Sequence, residues 1–65
     1  MKPRKGDWYR HHERAEDFRI LGIDEEEGIV EMQFASGDEA DMDLAEWLEM
    51  GFKAVPAPEH KAARP

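Results

Sequence analysis

Carboxylates are the side chains of this sequence best placed to do chemistry, and their spacing favours display over catalysis. Glu39, Asp41 and Asp43 alternate with Ala40, Met42 and Leu44, while Glu31 and Gln33 alternate with Val30, Met32 and Phe34. Such a period of two puts the acids on one face of a strand and the apolar residues on the other. Three further groupings have residue types that could form a site. His11-His12-Glu13 has the right ligand types for a metal, but adjacent residues point apart and no second cluster stands at ligand spacing. Asp24 to Glu27 is acidic enough for calcium, yet lacks the spaced ligands and distal glutamate of a calcium loop. Ser36 has no histidine near it in sequence to act as a base. There is also no glycine-rich phosphate loop. No catalytic, cofactor or metal site is expected, and the chain reads as a non-enzyme.

Charge is distributed in three blocks along the 65 residues, which carry a net charge of −7. Residues 1–14 hold five bases against two acids, residues 15–50 hold Arg19 against thirteen carboxylates, and residues 51–65 hold three bases against Glu59. An acidic centre lies between two basic ends. Sixty-five residues suffice for one domain, and a chain of this size buries only about 60% of the surface it exposes when unfolded. With no cysteine to staple it, apolar packing must hold the fold. The lack of cysteine, the absence of a leader-like apolar run after Lys2, Arg4 and Lys5, and the absence of ~20 consecutive apolar residues suggest a cytoplasmic protein away from membranes.

The elements that position these groups follow from the same alternation. Residues 29–35 and 39–43 read as a hairpin turned at Ser36-Gly37-Asp38. An earlier strand, about 17–23, carries Phe18 and Ile20 in register and then changes phase, which places a bulge at Gly22. Trp8 and Tyr9 begin a first strand, and Phe52 to Val55 form a last one. One short helix is expected near residues 44–50, with Asp43 as its cap, Glu46 reaching back in a capping box, Met42 and Trp47 as a hydrophobic staple, and Gly51 as its stop. Residues 1–6 read as a flexible basic N-terminus, 7–55 as the domain, and 56–65 as a disordered tail.

Four or five antiparallel strands with a helix before the last resemble the plan of small SH3-like barrels, and Val30 to Ala40 resembles their Tudor-type hairpin. The ordered chain is also similar to a group of short uncharacterised bacterial proteins. These share Trp8-Tyr9, the strand Val30-Glu31-Met32-Gln33-Phe34, and an acidic segment ending in Leu44-Ala45-Glu46-Trp47. The resemblance implies a mainly β, SH3-like (Tudor-like) barrel. Tudor modules that bind methylated side chains use an aromatic cage at their loops, where this chain offers His11, His12, Ala35 and Ser36.

The function expected is a small acidic protein-interaction module that presents Glu31, Glu39, Asp41 and Asp43 to a basic protein. If Trp8 faces inward, Tyr9 faces outward by strand parity and joins them as a contact residue. The competing expectation is nucleic-acid binding by the basic N-terminal arm with Tyr9 stacking on bases. Charge disfavours tight binding of that kind, because the domain's acidic centre repels phosphate. A monomer is slightly favoured.

Overall fold

A computed structural model describes residues 2–58. Five strands and one helix follow in the order β1 (Trp8–His11), β2 (Glu16–Asp24), β3 (Ile29–Phe34), β4 (Glu39–Asp43), α1 (Leu44–Met50) and β5 (Lys53–Val55). The strands form one antiparallel sheet of order β4-β3-β2-β1-β5. The closed barrel expected from the sequence is not formed. β4 and β5 lie at opposite edges, unpaired to each other, so the sheet stays open.

Each turn has a local cause. At the β3–β4 hairpin Gly37 takes a φ of 107°, a region costly for other residues, and Phe34 N–H donates to Asp38 O at 2.7 Å. Between β2 and β3 the Asp24 carboxylate accepts the Glu27 N–H at 3.1 Å, so this acidic run closes on itself as a turn. The bulge falls where the phase change placed it. Ile20 pairs with Met32 but Gly22 pairs with Glu31, leaving Leu21 as the extra residue and returning Ile23 to the face of Val30.

One face of the sheet carries the core of Phe18, Ile20, Val30, Met32 and Phe34, closed by Trp47 of α1 and by Phe52. Trp47 is only 4% exposed, as its place in the expected staple requires, and Met42 packs against the same cluster. The helix ends at Gly51, whose φ of 65° is the left-handed stop that glycine allows. Its start differs from expectation. Asp43 occupies the cap position with extended backbone but makes no side-chain cap hydrogen bond, and the Glu46 carboxylate makes no return bond. Leu44 N–H instead donates to Gly28 O at 2.7 Å, because β4 runs into α1 without leaving the sheet ladder.

In the N-terminal arm Pro3 is buried, Gly6 N–H donates to Ile20 O, and Ile20 N–H donates to Asp7 O, both at 2.9 Å. One expectation about β1 is corrected. Tyr9, expected to face outward, faces the core, because it stands opposite Phe18 and shares its face. Trp8 stands opposite Arg19 and Val55 and takes the outer face. The parity was right and the phase was reversed. His11, a polar type by name, occupies the next inward position at 8% exposure. Of the expected tail, residues 56–58 are coil and the remainder lies outside the described residues.

Candidate functional site

The outer face of the sheet is a set of cross-strand rows. Glu39 stands opposite Gln33, which stands opposite Arg19; Asp41 stands opposite Glu31, which stands opposite Gly22; Asp43 stands opposite Ile29, which stands opposite Asp24. Strand pairing thus brings Glu31, Glu39, Asp41 and Asp43 together, as the alternation implied. It adds Asp24. Carboxylates directly opposite each other, as Glu31 and Asp41 are, repel and cost stability.

No ion pair forms to these acids among the described residues. Arg19, the one base on β2 or β3, spends its guanidinium on the Gln33 amide, donating from Nη2 at 2.8 Å and Nε at 3.2 Å. Arg10 pairs with Asp17 at 2.9 Å, and Arg14 with Glu16 at 3.2 Å and Asp38 at 3.5 Å. In the arm, Lys2 pairs with Glu25 at 2.8 Å and Arg4 lies 4.0 Å from Asp7. These partners also lower the proton affinity of two carboxylates. Hydrogen bonding from Ser36, then the nearby Arg14, holds Glu16 below the ordinary carboxylate range. Lys2 does the same for Glu25.

The bulge shapes the strip as well as its register. Gly22 puts no side chain into the row that Glu31 and Asp41 share, so the surface is open there. Two shallow depressions flank Glu31, which forms a wall of both, and Gly22 lines the first. One, of about 540 Å³, runs past Ile23, Asp24 and Glu25; the other, of about 400 Å³, runs past Leu21, Glu39 and Asp41. Apolar flanks beside carboxylate walls suit a side chain with an aliphatic stem and a cationic head, which is the build of lysine and arginine. Sequence reasoning missed Asp24 and this relief. The change of phase at Gly22 was the available signal, but a bulge deletes a side chain from a row only once the neighbouring strand is known.

Tyr9 does not belong to the strip. It lies on the other face, its ring edge-on to Trp47 at 4.8 Å and stacked on Phe18 at 5.9 Å. Burial, then the charge and hydrogen bond of Asp7, raise the Tyr9 phenol above its ordinary value, with Arg4 pulling partly against them. His11 is likewise structural: its ring lies 5.1 Å from Phe52 and 5.7 Å from Phe34, and its Nδ1 accepts the Arg14 N–H at 3.2 Å. Among the described residues no three histidine, aspartate or glutamate side chains converge as a metal site. No helix among them is long and apolar enough to cross a membrane.

The relation to other proteins is narrow. The sequence matches a family of unknown function (DUF6763) over residues 1–64. The chain belongs to that family. No curated protein and no solved structure matches it. The family's function is unknown, so membership carries no activity with it.

Proposed function

We propose that the protein is a small non-catalytic interaction module whose β3–β4 face binds a basic protein partner. The observation that carries this reading is the isolation of the acids. Among the described residues, Glu31, Glu39, Asp41 and Asp43 lie together on fixed strands without an ion pair, while Lys2, Arg4, Arg10 and Arg14 each pair with other carboxylates. A rigid face of one sign attracts a partner of the other sign over about a Debye length, roughly 8 Å at physiological salt, with no ordering of the face on binding. The same commitments argue against the nucleic-acid alternative, since Lys2 and Arg4 face acids of this chain and Tyr9 is packed against Trp47. The finer fold reading belongs here too. The strand order, with a helix between β4 and β5, supports an SH3-like plan in an open form.

Fluorescence anisotropy at about 150 mM salt tests the function, using a labelled lysine-rich peptide beside labelled single- and double-stranded oligonucleotides. The peptide should bind, more weakly as salt is raised, and should lose affinity when Glu31, Glu39 and Asp41 are all made amides. Oligonucleotide binding in the micromolar range, lost on neutralising Lys2, Arg4 and Lys5, would reverse the reading.

A further inference from the structure

The acids of β4 share their residues with a second feature, an edge of the sheet that no other described strand covers. Phe34 N–H donates to Asp38 O, and Leu44 N–H donates to Gly28 O. These two bonds fix the phase of the ladder. In an antiparallel pair, bonded and non-bonded positions alternate, so residues 38, 40, 42 and 44 turn their backbone groups toward β3. Glu39, Asp41 and Asp43 then turn theirs away from it, where β4 is the last strand of the sheet. Each of the three residues offers an edge N–H, an edge C=O and an exposed carboxylate together.

We propose that β4 takes up a basic, extended segment of the partner as a sixth antiparallel strand, with lysine or arginine at every second position. This rests on the reading of the acidic face as the binding surface. The bonded positions of the new pair would be Glu39, Asp41 and Asp43, and the residues directly opposite them project to the same outer face. A basic residue opposite each carboxylate has the right parity, and the depression that Glu31 shares with Glu39 and Asp41 borders β4, within reach of the stems. Main-chain bonds supply affinity and the alternate side chains supply selection. A second copy of this chain does not fit that edge. Two-fold pairing of β4 with itself would set carboxylates opposite carboxylates. The other edge, β5, is three residues long and carries Lys53 beside Arg10, which does not suit a basic strand.

The experiment uses four labelled peptides of equal charge against the full chain, read by anisotropy and by amide chemical shifts. One alternates lysine with threonine; one has the same residues with its lysines in a block. Two are alternating peptides N-methylated, either at the lysines, whose N–H groups face β4, or at the threonines, whose N–H groups face away. The alternating peptide should bind several-fold tighter than the block and shift the Glu39, Asp41 and Asp43 amides. Methylation at lysine should weaken it about tenfold, while methylation at threonine should leave it nearly unchanged. Equal binding by all four would overturn strand addition and leave the acidic-face reading standing. Binding by none would overturn both, leaving the acids as a guard against edge-to-edge pairing. Self-association of the chain through β4, seen by sedimentation without peptide, would overturn the choice of occupant.

Discussion

The ring cluster on the inner face and the carboxylate strip on the outer face are built on some of the same strands, but they are held in opposite ways. In the cluster, Tyr9, His11, Phe18, Trp47 and Phe52 each satisfy one another, with ring centroids 4.8 to 6.2 Å apart. In the strip, Glu31 and Asp41 face each other with nothing between them to gain. The cluster contributes stability and the strip subtracts some. A surface that persists at a cost to folding is a candidate for use, and a core that repays its ordering needs no other explanation.

That contrast breaks hardest at Trp47. Trp47→Ala should cost about 3–5 kcal/mol, as other deletions of buried aromatics do, measured by urea or thermal unfolding. A loss under about 1 kcal/mol would mean that α1 is not the lid of the core. Trp47 also hides an indole N–H with no partner among the described residues, so Trp47→Phe should cost much less than the alanine change.

Arg14 sharpens the comparison, because it packs on the core while answering carboxylates that lie outside the strip. Its guanidinium carbon lies 3.8 Å from the Phe34 ring centroid while its Nη2 reaches Glu16 and Asp38. Arg14→Ala should cost about 1 kcal/mol, and Arg14→Lys should recover only part of it, because a point charge stacks less well than a planar one. Full recovery by lysine would assign the effect to charge alone.

The strip should respond with the opposite sign. Glu31→Gln should stabilise the chain by about 0.5 kcal/mol at low salt, and the gain should vanish near 1 M salt, where screening acts within roughly 3 Å. Equal gains at both salt levels would point to packing rather than repulsion. Asp43→Ala should change stability by less than about 0.5 kcal/mol, since no cap bond is lost.

Acid should expose the compensated carboxylates. Glu16 and Glu25 have folded values below the ordinary one near 4.5, so their contribution is present above that pH and lost as pH falls through the lowered values. Stability should therefore decline with acid below about pH 4.5, and Glu16→Gln with Glu25→Gln should flatten that decline. An unchanged slope in the double variant would place the acid sensitivity elsewhere.

Sequence alone was enough for whatever depends on the spacing of neighbours. The alternation of Val30 to Phe34 and of Ala40 to Leu44, the break at Gly22 and the stop at Gly51 are local patterns, and the strands, bulge and helix fell where those patterns put them. The faces of β2, β3 and β4 were legible for the same reason, and with them the company of Glu31, Glu39, Asp41 and Asp43. Phase across strands was another matter. Trp8-Tyr9 has no phase of its own, since two adjacent rings satisfy either assignment, and His11 hid the inward position that would have decided it. Pairing with Phe18 turned Tyr9 into the core. The ion pairs of Lys2 with Glu25 and of Arg14 with Asp38 span more than twenty residues, so no local pattern could show which acids would be answered and which left bare. Whether the sheet closes, and hence whether β4 keeps a free edge, depends on the summed twist and length of five strands, which no stretch of the sequence contains.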